Sequence, residues 1–133
     1  MDPARAHFTT IASAPTRPMQ LDRGFQRVLV EGAGAQNLDV HVNVIAVGSA
    51  PGPYHYHERC ENVYIVLSGV VDIFVEGEHR SLKAGDVAFI PPGLPHSAHN
   101  AGTEVVELIE IYSPPRGTDF HVVSLASPRA DGI

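Results

Sequence analysis

The 133-residue chain has no tryptophan and a single cysteine, Cys60, so neither an internal disulfide nor a cysteine-based zinc finger is available to hold it together. Its one lysine stands against eight arginines, a bias that suits a GC-rich bacterial genome. These basic residues fall singly under a formal charge of −6, which leaves no electrostatic footprint for a phosphate backbone and argues against nucleic acid as a partner. Long hydrophobic runs are missing too. The longest, Val63–Leu67, has five residues, against the roughly 18 needed to cross a bilayer, and Met1–Arg5 carries no secretory hydrophobic region. A cytoplasmic protein with no membrane partner is expected. Aromatics make up only 7%, so Val, Ile, Leu and Ala must fill the core, and the first two favour pleated surfaces. Twelve glycines and eleven prolines, spread along the chain, leave little room for long helices. What the chain does have in excess is histidine, eight in all.

Residues 1–23 carry Pro3, Pro15 and Pro18 with no sustained period of two or 3.6, and predict an arm that gains order only by packing on a barrel edge or a partner subunit. Phe25–Val30 reads as a strand. Leu38–Val47 alternates, with Leu38, Val40, Val42 and Val44 on one face and Asp39, His41 and Asn43 on the other. Asn62–Leu67 and Val70–Val75 are β-rich runs hinged at Ser68-Gly69, and the turn Glu76-Gly77-Glu78 leads to a strand ending near Leu82. Val87–Ile90 is stopped by Pro91-Pro92-Gly93, and His96–Asn100, Val105–Tyr112 and Phe120–Val123 complete the series. In Val105–Tyr112 both faces are largely apolar except at Glu107 and Glu110, as in a strand inside a barrel wall. Roughly eight short strands, punctuated by Gly and Pro about every 8 to 12 residues, predict an all-β antiparallel barrel of the jelly-roll kind over residues 24–126, with a tail at 127–133.

Chemistry is to be sought among the histidines. His55 and His57 stand two apart, so an extended Tyr54–Glu58 sends both imidazoles to one face. Glu61 and Asn62 follow within five residues, and His96 arrives after further turns. Imidazole nitrogens with one carboxylate or amide oxygen suit Zn, Fe, Mn, Ni or Cu rather than Ca or Mg. Strand parity separates the two oxygen donors: if Asn62, Tyr64 and Val66 face inward, Glu61 reaches a metal only through a bulge, and if Val63, Ile65 and Leu67 do, Glu61 is placed directly. His7, His41, His79, His99 and His121 are expected at the surface or behind the site. His41 is the exception to watch, because Asp39, His41 and Asn43 would line a lumen if their strand is turned over. Cys60 is expected half-buried beside the site, and Tyr54, Tyr56, Tyr64, Phe74 and Phe89 mostly in the core.

Two segments resemble the two motifs of the cupin superfamily. Gly85, Pro91, Gly93, His96 and Asn100, with five, one, two and three residues between them, match the second motif without a gap. The first motif has five residues between its glycine and its first histidine; here six separate Gly48 from His55, and His57 and Glu61 follow with the family's spacing. Seven residues rather than six separate Glu61 from Gly69, so counting back by the family rule lands on Asn62. The motifs and the stretch between them cover Gly48–Asn100, about 40% of the chain. The resemblance implies a double-stranded β-helix and one divalent transition metal (Fe, Mn, Zn, Ni or Cu) held by His55, His57, His96 and Glu61 or Asn62. Ligand chemistry favours Glu61, and the choice leans to it.

Small cupins with such ligands include dioxygenases, decarboxylases, lyases and sugar isomerases. The resemblance therefore implies a metal-dependent enzyme on a small oxygenated or carboxylated molecule, with oxidative, dioxygenase-like chemistry ranked first and a non-catalytic binding module as the alternative from another class. A metal-independent epimerase shares the barrel, but the His55/His57 pair argues against it. The family often forms dimers, so a homodimer is expected, with the arm before Phe25 as a plausible exchanged element.

Overall fold

A computed structural model describes residues 6–31, 35–115 and 122–124. The strands are β1 (Thr16–Pro18), β2 (Gly24–Val30), β3 (Asp39–Ile45), β4 (His55–His57), β5 (Glu61–Ser68), β6 (Val70–Val75), β7 (Glu78–Lys83), β8 (Val87–Ile90), β9 (His96–His99), β10 (Val106–Ser113) and β11 (Val122–Ser124). A single turn of 3-10 helix, Gln20–Asp22, is the one helical element among the described residues, and none of these is long and apolar enough to cross a membrane. Two antiparallel sheets face each other, one ordered β1-β2-β3-β10-β5-β8 and the other β11-β4-β9-β6-β7. This is the double-stranded β-helix expected of the strand pattern.

Register decides which side chains meet inside. Glu110 on β10 stands opposite His41 on β3 and Tyr64 on β5, Tyr112 opposite Asp39 and Asn62, and Leu108 opposite Asn43 and Val66. Directly paired residues share a face, so all of these point into the barrel. The interior is thereby divided. At one end Ile45, Val66, Val106, Leu108 and Ile90 of one sheet pack with Val71 and Ile73 of the facing sheet as the apolar core. At the other end lie Asp39, His41, Asn43, Asn62, Glu110 and Tyr112, all buried. Leu108 is fully buried, and truncating it to Ala would cost about 2–5 kcal/mol.

The polar face of β3, read from sequence as solvent-facing, is the inward one: His41 is 0% exposed while Leu38 is 40% exposed. The cause is Glu110, which needs donors from the neighbouring strand. Phe89, expected in the core, is 57% exposed, because β8 is the edge of its sheet and its register turns Ala88 and Ile90 inward toward Tyr64 and Asn62. The hinge between β5 and β6 requires glycine. Gly69 has φ +77°, and a Cβ there would lie 2.6 Å from the Val105 carbonyl oxygen.

β1 pairs with β2 of the same chain, with Arg17 opposite Gln26, and the Val28 amide donates to the Pro15 carbonyl at 2.8 Å. Residues 1–5, Phe120, His121 and the tail at 127–133 lie outside the described residues.

Candidate metal centre

β4 is extended, so His55 and His57 project from one side of it, and antiparallel pairing with β9 sets His96 directly opposite His55. Ring centroids stand 4.9 Å apart for His55 and His57, 4.5 Å for His55 and His96, and 5.5 Å for His57 and His96. One ligating atom from each ring lies within 4.8 Å of the others. His57 and His96 are 3% and 1% exposed, and His55 is half-buried.

Backbone carbonyls orient two of the rings. His55 Nδ1 donates to the Pro53 carbonyl at 2.8 Å, and His96 Nδ1 donates to the Leu94 carbonyl at 2.9 Å. A donating Nδ1 leaves the Nε2 lone pair of each neutral ring to act as ligand, which is the outer support that metal-binding imidazoles require. Burial pushes His96 down to about 4, against the opposing pull of the Leu94 carbonyl, so the ring is neutral at pH 7. Its Nε2 is buried with no hydrogen-bond partner among the described residues. Three converging imidazoles, one of them neutral with an unsatisfied buried lone pair, fit a divalent transition metal.

Of the two oxygen donors, the inward position belongs to Asn62. Asn62, Tyr64 and Val66 are buried along β5, whereas Glu61 is exposed at its start. The preference for Glu61 is thus corrected: without a bulge at this point the two-residue period turns its carboxylate outward, and it is absent from the cluster. Asn62 Nδ2 donates to Glu110 Oε2 at 2.8 Å, and its Oδ1 is buried without a hydrogen-bond partner.

Of the two interior carboxylates, Asp39 and Glu110, it is Glu110 that holds Asn62. Its Oε1 accepts from His41 Nε2 at 3.0 Å and from Asn43 Nδ2 at 2.8 Å, and the hydroxyls of Tyr64 and Tyr112 also donate to it. Burial works to raise its pKa, but the hydrogen bond and charge of His41, with Asn43 and Tyr112, overcome that and hold it down to about 2. The network runs outward. Gln26 Nε2 donates to Asn43 Oδ1 at 2.8 Å, and Arg17 Nε donates to Gln26 Oε1 at 2.7 Å.

A cavity of about 470 Å³ opens beside the triad, lined by His55, His57, Tyr64 and Glu110 together with Arg17 and Arg23 from the arm. Arg23 is only 7% exposed, and its guanidinium donates through Nε to the Ala50 carbonyl (3.3 Å) and through Nη2 to the Ala98 carbonyl (3.2 Å). Sequence reasoning missed both arginines and the role of Glu110. For Glu110 a signal existed, since it shares parity with Val106, Leu108 and Tyr112; for Arg23 none did.

Among the described residues, the other histidines stay outside the triad. His41 is bound to Glu110, His79 stacks on Phe74 with a side chain 48% exposed, and His7 is exposed. Cys60, expected half-buried, is 1% exposed, and burial pushes its thiol up to about 11, which makes it unreactive.

Residues 41–112 match the family model of the cupin domain. Among curated relatives, an uncharacterised Aquifex aeolicus protein is 42% identical over 60 residues, covering 45% of this chain and 49% of that one. Germin-like protein 5-1 of Oryza sativa subsp. japonica is 38% identical over 87 residues, covering 58% and 34%. The chain thus spans half or less of these relatives' length. Among solved structures, an RmlC-like cupin from Shewanella frigidimarina superposes with TM-score 0.73 at 26% identity, covering 85% of this chain and 95% of that one. KdgF from Halomonas sp. gives TM-score 0.75 at 22% identity (85% and 97%). An oxalate decarboxylase from Lactobacillus farciminis gives 0.68 at 21% identity (83% and 33%). The last two likenesses are of fold alone.

Proposed function

The chain belongs to the cupin domain family, and from that premise we propose that it is a metal-dependent enzyme in which His55, His57 and His96 hold one divalent transition metal beside a cavity for a small oxygenated or carboxylated substrate. One observation carries this reading: three imidazole donor atoms from two strands lie within 4.8 Å of one another. When bound, such an ion supplies Lewis acidity and, if it is iron, manganese, copper or nickel, one-electron chemistry with O₂.

The other groups lining the cavity favour chemistry that asks little of a protein base. Burial and the neighbouring Glu110 push the Tyr64 phenol well above its ordinary range, so at neutral pH it donates and does not accept a proton. Glu110, held at about 2 and surrounded by donors, is a poor proton acceptor as well. An isomerisation that depends on a general base is therefore ill served among the described lining residues. An oxidative, dioxygenase-like reaction needs from the chain only binding, orientation and exclusion of water, and is placed first. Decarboxylation makes the same modest demand and is the second reading.

The test begins with the metal content of purified protein by inductively coupled plasma mass spectrometry. The metal-replete protein is then given a panel of small hydroxy acids, keto acids and sugars, with O₂ uptake and CO₂ release followed in parallel. O₂ uptake supports the first reading, and CO₂ release without it supports the second. Tight metal with no turnover marks a binding module, and protein that takes up no metal overturns the proposal.

A further inference from the structure

Arg23 stands out as a buried charge with no carboxylate to answer it. Among the described residues no acidic group lies within ion-pair distance of its guanidinium, although the side chain is 93% removed from solvent by its 7% exposure. Arg17, the other arginine at the cavity, differs in this respect, because its Nη1 pairs with Glu31. Glu110 is near enough to influence Arg23 electrostatically, but its oxygens are already engaged by His41, Asn43 and Asn62. An uncompensated buried cation is costly and calls for a partner.

Its anchoring ties it to the triad. Nε and Nη2 are held by the carbonyls of Ala50, in the loop that leads into β4, and Ala98, two residues beyond His96 on β9. Gly52 closes the third side: a Cβ there would sit 2.8 Å from Nη2, so the close approach depends on glycine. Nη1 is left with no hydrogen bond in the described structure, on a side chain that lines the cavity. Three imidazole ligands leave a divalent ion with its full charge, and against that ion and two arginines the described lining offers one carboxylate, Glu110, so a further anion is favoured there.

We infer that Arg23 is a specificity residue, receiving a carboxylate of the substrate through Nη1, so that the substrate class is a small carboxylate and not a neutral sugar or alcohol. This rests on the metal-centred reading above and narrows it. A charge-assisted bond to guanidinium gives affinity as well as orientation, and removing it weakens binding by about 10- to 100-fold.

The probe is malonate against malonamide, of similar shape but different charge, titrated calorimetrically into metal-loaded and chelator-treated protein. Wild type is expected to bind malonate at least about 10-fold more tightly than malonamide in both forms, a comparison that needs no variant. Arg23→Gln should weaken malonate about 10- to 100-fold and leave malonamide unchanged, and Arg23→Lys should recover part of the loss. Metal content of Arg23→Gln should equal that of wild type. Failure of wild type to bind malonate, equal binding of the two probes, or undiminished malonate binding by Arg23→Gln overturns the inference, even where the triad holds metal. A wild type that takes up no metal when loading is attempted, yet still selects malonate through Arg23, overturns the metal reading and keeps the anion site.

Discussion

Glu110 is where the interior is most exposed to a single substitution. Its carboxylate, on a side chain only 4% exposed, takes hydrogen bonds from two asparagines, a histidine and two tyrosines. The interval from the ordinary 4.5 down to about 2, at 1.36 kcal/mol per pH unit, corresponds to about 3 kcal/mol of folding free energy. Because the folded-state pKa is the lower one, this stabilisation is fully present above pH 4.5 and is lost as the pH falls from 4.5 toward 2. Glu110→Gln keeps the shape but turns an amide donor toward groups that also donate, so a loss of about 3 kcal/mol or more is expected at pH 7.

The assay is urea unfolding followed by circular dichroism on chelator-treated protein at pH 7, 5 and 3, so that metal release adds nothing to the difference. Wild type should exceed Glu110→Gln by about 3 kcal/mol at pH 7 and pH 5, and the gap should shrink by pH 3 because the carboxylate of the unfolded wild-type chain takes up a proton there while the folded one still resists it. A variant within about 1 kcal/mol of wild type at pH 7, or a gap that does not change with pH, would refute the assignment of Glu110 as an ionised, donor-held group.

His57→Ala should reduce metal content several-fold, read by mass spectrometry, and abolish the drop in Tm that a chelator causes in wild type; at 100 times Kd, bound metal adds about 2.7 kcal/mol. Glu61→Ala should leave metal content and stability unchanged, whereas Asn62→Ala, which removes a donor from Glu110, should lower stability by about 1–3 kcal/mol in urea titration. We propose a homodimer, to be seen by light scattering as twice 14.3 kDa. Because β1 packs on its own barrel, deletion of residues 1–18 should lower stability and leave that mass unchanged; monomers on deletion would put the arm in the interface.

The strands were legible because each is short, bounded by Gly or Pro, and composed for a pleated wall, and the triad was legible because His55 and His57 carry the two-residue period of a strand within themselves. What was hidden depended on strands far apart in sequence. Asp39, His41 and Asn43 form an alternating polar face, which in one strand reads equally as a surface or as half of a polar interior. Glu110 decides between them, and it lies 69 residues from His41. Taken with Val106, Leu108 and Tyr112, it is a charged residue on the apolar parity of its strand, a placement that demands donors opposite. Glu61 was preferred on ligand strength, but its orientation follows from Tyr64 and Val66, which occupy the buried parity and leave the position before Asn62 facing outward. Arg23 had no such signal, because it is held by backbone carbonyls 27 and 75 residues away, and a carbonyl looks the same in every residue. In a closed β-barrel, then, a metal triad can be read along one strand and its spacing to the next. The groups that select the substrate become visible only once the strands are paired, because their partners are set by register and burial.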